Sequence, residues 1–118
     1  MTFQLLTPTQ LVADGAGLDV TALLATPTNV NLQFANTGRE FLVVVPGASS
    51  ETVTVDIGTT ILGQAVNNFS SVTLTSTHVY TFGQFHSVLD QPGGSTIQVT
   101  LSTTTSIQVA LLQSAGVY

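Results

Sequence analysis

The chain has 118 residues and no cysteine, so it is long enough for one domain with its own core and offers no thiolate metal site, iron–sulfur cluster or disulfide. Only 6% of its residues are charged, Arg39 is the sole Lys or Arg, and the net charge is −5. Nucleic acids and anionic membrane surfaces are held by clustered cations, and one arginine makes no such cluster.

Polarity comes instead from Thr, Ser, Asn and Gln, and Thr with Val suits a pleated, half-buried surface. The opening Met1–Leu6 has no basic region and meets Pro8 before any long apolar run, so no export signal is expected. No stretch approaches the ~20 apolar residues of a membrane helix.

Residues 1–17 read as an irregular N-terminal arm, broken by Pro8 and by Asp14-Gly15-Ala16-Gly17. Phe3, Leu5, Leu6, Leu11 and Val12 make this arm apolar without periodicity, so it is expected to lie on something, whether this domain, a sister subunit or a partner, and these residues are the candidate capsid or subunit contacts. From residue 18 the period is two. Leu18, Val20, Ala22 and Leu24 predict a strand, then Val30, Leu32 and Phe34 a cleaner one. Asn36-Thr37-Gly38-Arg39 reads as a tight turn, with Asn36 and Gly38 suited to positive φ.

Phe41 to Val45 is apolar on both faces, which predicts a central strand covered on both sides. Thr52 to Ile57 alternates again and is expected to form a hairpin with it. Gly58 and Gly63 bracket a stretch of ambiguous pattern. Val72 with Leu74, and Val79 to Phe82, are further strand candidates, and residues 83–94 read as a loop. Ile97-Val99-Leu101 and Ile107-Val109-Leu111 are the clearest strands, with Thr103-Thr104-Thr105 expected to join them as a hairpin. The whole reads as a single antiparallel β-sandwich over 18–118, jelly-roll or immunoglobulin-like, with about eight strands.

Candidate chemistry is sparse. His78, His86 and Asp90 lack the short fixed spacing of metal ligands. Asp14 and Asp19 lack the alternating oxygen donors of a calcium loop. Asp56 and Asp90 have no feature that singles them out as a catalytic carboxylate pair. Asn68-Phe69-Ser70 matches a glycosylation acceptor, a pattern frequent by chance. No nucleophile elbow or phosphate-binding glycine loop is present. The chain therefore reads as non-enzymatic, without catalytic, cofactor or metal residues. Arg39 has two readings: a fork of donors tying loop carbonyls or a carboxylate, or a solvated turn residue.

Asn36-Thr37-Gly38-Arg39-Glu40-Phe41-Leu42-Val43-Val44 resembles a segment of small proteins from tailed phages, especially those of actinobacteria, which often read Asn-Asp-Gly-Arg-Thr-Phe-Leu before an alternating strand. Gly17-Leu18, Thr52 to Val55, Gly83-Gln84-Phe85 and Val109-Ala110-Leu111 follow that family's order, so the resemblance spans about residues 17 to 112. Thr37 stands where Asp is usual, Glu40 where Thr is usual, and Gln84 where Pro is usual. Leu89-Asp90 replaces a usual Tyr-Asn.

The family resembles capsid decoration, or cement, proteins. The resemblance implies a β-sandwich on the outer face of a virion, bound to the major capsid protein and stabilising its lattice. It implies a homo-oligomer, with a trimer at threefold positions the favoured geometry, and no nucleic-acid or membrane partner. Another virion role, such as a tail or head–tail joining protein, and a small carbohydrate-binding module are the alternative readings. The second is disfavoured by the absence of Trp and by an aromatic content of 7%.

Overall fold

The computed structural model of the chain describes residues 3–11, 17–47, 50–56, 60–61, 64–65, 71–83, 85, 90–91 and 95–114, with the main chain alone at 60–61 and 64–65. In chain order the strands are β1 (Gln4–Leu5), β2 (Thr9–Gln10), β3 (Asn31–Ala35), β4 (Glu40–Val45), β5 (Thr52–Asp56), β6 (Thr60–Ile61), β7 (Gln64–Ala65), β8 (Val72–Thr73), β9 (Tyr80–Phe82), β10 (Thr96–Leu101) and β11 (Gln108–Gln113). One sheet has the order β1-β3-β10-β5-β8, and the other has the order β2-β11-β4-β9. β6 and β7 pair antiparallel by themselves, β6 inside the ambiguous stretch between Gly58 and Gly63 and β7 directly after it.

The two sheets face each other across one core. Alternation sends Leu32 and Phe34 of β3, Val53 of β5, and Ile97, Val99 and Leu101 of β10 inward from one side. Leu42 and Val44 of β4 and Val109 and Leu111 of β11 meet them from the other. Phe85 joins the core with its ring centroid 5.4 Å from that of Phe34. Burying each such side chain stabilises the fold by about 1.5–3 kcal/mol relative to exposure.

The pairings nest. β2 lies beside β11, β3 beside β10, β4 beside β9 and β5 beside β8. This is the strand order of a jelly roll, a ribbon of strand pairs rolled into two sheets. The three inner pairs are antiparallel, and so are the β10·β5 and β11·β4 contacts that complete the sheets. The outermost pair β2·β11 is parallel, as is β1·β3. The all-β sandwich expected from the alternation is therefore present, and of the two topologies left open the strand order is the jelly roll's.

Neither expected hairpin forms. β5 pairs with β10 and β8, in the sheet opposite β4, and β10 and β11 likewise lie in opposite sheets. Alternation identifies the buried face of a strand but not its neighbour, and here the connections at 46–51 and 102–107 step between sheets. The two connections pack together. A Cβ on Gly47 would clash with the side chain and backbone of Ser106, and Ser50 and Ser106 take φ of 78° and 64°. Thr52 and Ser102 tie the pair, Thr52 N–H donating to Ser102 Oγ at 2.9 Å and Ser102 N–H to the Thr52 carbonyl at 3.0 Å.

Residues 18–24 also differ from expectation. They form a 3-10 turn at Val20–Leu23, started by the Asp19 carboxylate, which accepts the Thr21 N–H at 3.1 Å. A 3-10 turn brings residues three apart onto one side. Val20 and Leu23, with Leu18 and Leu24, thereby cover Val43, Ala110 and Leu112 on the outer face of the β11-β4 pair. β4 is thus apolar on both faces because both are covered, as its sequence predicts. The arm is not irregular throughout, since residues 4–5 and 9–10 are strands, with Pro8 in the step from one sheet to the other. Two-residue strands are set by the sheet edges that receive them and leave no period in the sequence.

Candidate functional site

The Asn36–Glu40 turn sits where β3 leaves one sheet and β4 starts in the other. Gly38 has φ +84°, and Asn36 Oδ1 accepts the Gly38 N–H at 3.0 Å, an Asx turn that fixes the reversal. Asn36 Nδ2 donates to Asp90 Oδ1 at 2.8 Å, and the Asn36 N–H donates to the Ser95 carbonyl at 2.7 Å. Arg39 Nη1 donates to the Ser114 carbonyl at 3.1 Å, and the Ser114 N–H donates back to the Arg39 carbonyl at 2.9 Å. Of the two readings of Arg39, these contacts match the one that ties a carbonyl. Asn36 and Gly38 make the turn, and Arg39 ties it to Ser114.

Sequence reading missed the centre of this arrangement, Glu40, whose side chain is fully buried. It shares the inward face of β4 with Leu42 and Val44, so the period of two places a carboxylate at the end of the core. Glu40 Oε1 accepts the Thr37 N–H at 2.7 Å, and Oε2 accepts Thr37 Oγ1 and Gln113 Nε2, each at 2.7 Å. Burial is the largest influence on Glu40 and favours the neutral acid. The hydrogen bonds from Thr37, Gln113 and the Arg39 backbone together outweigh it, and hold the pKa below the ordinary 4.5. The available signals were the alternation with Leu42 and a Thr37 three residues before the acid. Gly83 closes the cluster from β9, with φ +128° and no room for a Cβ, which would lie 2.5 Å from the Glu40 carbonyl oxygen.

The arm residues divide. Leu6 packs on the inner core and Leu11 on the outer cluster of the same chain. Leu5 is 70% exposed, Phe3 is half-buried, and Val12 lies outside the described residues. A pocket of about 150 Å³ lies beneath the arm, between Gln4, Leu6, Leu23 and the edge of β11 at Val109–Leu111.

Among the described residues, the outer face of the five-stranded sheet carries no charged side chain except Asp56. Gln98 Nε2 donates to Gln33 Oε1 at 3.2 Å, and Thr100 Oγ1 donates to Asp56 Oδ2 at 3.0 Å. Burial raises the Asp56 pKa above its ordinary 3.8, and the Thr100 hydroxyl partly offsets this. His78 is exposed beside Tyr80, with ring centroids 6.3 Å apart. His86, Asp14 and the Asn68-Phe69-Ser70 segment lie outside the described residues. Among the described residues no three His, Cys, Asp or Glu side chains cluster, and no helix is long and apolar enough to cross a membrane.

No family model matches the chain, and no curated protein or solved structure resembles it significantly.

Proposed function

We propose that this chain is a non-enzymatic structural protein of a phage virion, decorating the outer surface of the capsid and stabilising its major capsid protein lattice. The observation that carries the reading is the Thr37–Glu40 pair. The phage segment that Asn36–Val44 resembles usually has Asp at the first of these positions and Thr at the second. Here hydroxyl and acid have changed places, and the two hydrogen-bond each other. The exchange keeps one hydroxyl and one carboxylate within the turn.

The surface chemistry supports the same reading. A ligand that binds only the assembled lattice stabilises it by mass action, and repeated weak contacts sum. A face of hydroxyls and amides, with one described carboxylate, provides neutral hydrogen bonds for such contacts. A trimer at threefold positions would present three equivalent copies of it. Cryo-electron microscopy of purified particles from the phage that encodes the chain tests the proposal. Density for this sandwich across the outer shell is the expected result. Density at one vertex or in the tail would assign another virion role, and its absence from particles would overturn the reading.

A further inference from the structure

We propose that the N-terminal arm is an exchangeable strap, which docks on a second copy of the chain as it docks on its own sandwich. The arm is held at both sheet edges by two-residue parallel strands, β1 on β3 and β2 on β11. Leu6 N–H donates to the Gln33 carbonyl and Leu11 N–H to the Gln113 carbonyl, each at 2.8 Å. Gln4 Oε1 accepts the N–H groups of Thr28 at 2.7 Å and Asn29 at 3.3 Å. Leu6 enters one apolar cluster and Leu11 the other. This recognition is made of main-chain bonds, one amide and two leucines. Nothing in it distinguishes a chain's own arm from a neighbour's.

Exchange would preserve every one of these contacts, which is why swapping an identical element is a low-cost route to association. It would also keep the β3 and β11 edges covered, edges that otherwise invite indiscriminate pairing. A pocket of about 150 Å³ lined by Gln4, Leu6, Thr7 and Thr9 lies between the arm and the sandwich. Leu5, 70% exposed on β1, is apolar surface that burial against another copy would cover. Residues 12–17, which include Gly15 and Gly17, link the arm to the sandwich. Six extended residues reach at most about 20 Å. The receiving copy must therefore offer its β3 and β11 edges within that distance. The inference does not rest on the decoration reading.

The absence of native cysteine allows a direct test. Leu5 and Gln33 are partners in the β1·β3 register, and Gln10 and Gln113 in β2·β11. Leu5→Cys and Gln33→Cys are placed in separate full-length chains, which are refolded together at high concentration and oxidised. Gln10→Cys with Gln113→Cys reads the same exchange from the other sheet. The expected result is a mixed disulfide between chains for each pair, in excess of like-with-like links, with light scattering showing more than one chain per particle. Absence of both mixed links overturns the proposal, whether the chain is then monomeric or associates through another surface.

Discussion

Glu40 shows how one buried carboxylate binds distant parts of the chain. Its hydrogen bonds join the turn at Thr37 to the end of β11 at Gln113. The Gln113 carbonyl in turn receives Leu11 of the arm. Replacing Glu40 by Ala leaves the Thr37 N–H and the Gln113 amide without this acceptor, and should destabilise the fold by roughly 2–4 kcal/mol in urea titrations. The pH dependence has a definite sign. Because the folded pKa is lowered, the unfolded chain binds the proton more readily. The stability that Glu40 contributes is present above its unfolded value near 4.5, and is lost as the pH falls through the folded value. Thermal melts of the Glu40→Gln variant should show a shallower acid limb than the parent; an unchanged limb would mean that other acids set it. The exchanged pair makes its own prediction. Thr37→Asp with Glu40→Thr together should cost about 1–2 kcal/mol less than the sum of the single changes, and strict additivity would deny that the two act as a unit.

The elements depend on coverage from both sides. β4 lies between β11 and β9, with Leu42 and Val44 in the inner core and Val43, only 6% exposed, under the 3-10 turn. Val43→Asp places an unpaired charge among Leu18, Val20, Leu23 and Leu24, and should abolish cooperative folding, visible as loss of dispersed amide resonances. A soluble variant with a sharp melting transition would show that the 3-10 turn leaves this face open. Gly83→Ala probes the contact from β9. Its positive φ and the nearby Glu40 carbonyl oxygen leave no room for a methyl group, so a loss of about 2 kcal/mol or more is expected in the same titration.

At the scale of the whole molecule, the charge count governs association. With six acidic residues and Arg39, few ion pairs are available to any interface. Apolar burial and neutral hydrogen bonds are screened by salt far less than exposed ion pairs are. If the chain decorates a capsid, washing particles in about 1 M salt, where the Debye length is about 3 Å, should leave its occupancy unchanged. Kosmotropic salts should strengthen retention by favouring apolar burial. Release from an intact shell under that wash would assign the attachment to electrostatics.

Local pattern alone was enough to identify an all-β chain, the inward residues of β3, β10 and β11, and a β4 covered twice, because a strand's period of two records which side meets the core. It also identified Asn36 and Gly38 as a turn, because an Asx bond and a positive φ are satisfied within three residues. The tertiary structure decided what lies beside what. Thr52–Asp56 and Gln108–Gln113 alternate just as hairpin strands do, and only packing sends each into the sheet opposite its predecessor. Val20 to Leu23 became a 3-10 turn, flanked by Leu18 and Leu24, because the outer face of β4 and β11 needed covering. The arm became two strands because β3 and β11 had open edges. Glu40 became the centre of the turn because Gln113, 73 residues away in sequence, ends β11 beside it. Each of these outcomes depends on a partner distant along the chain, and no local period carries that partner's identity.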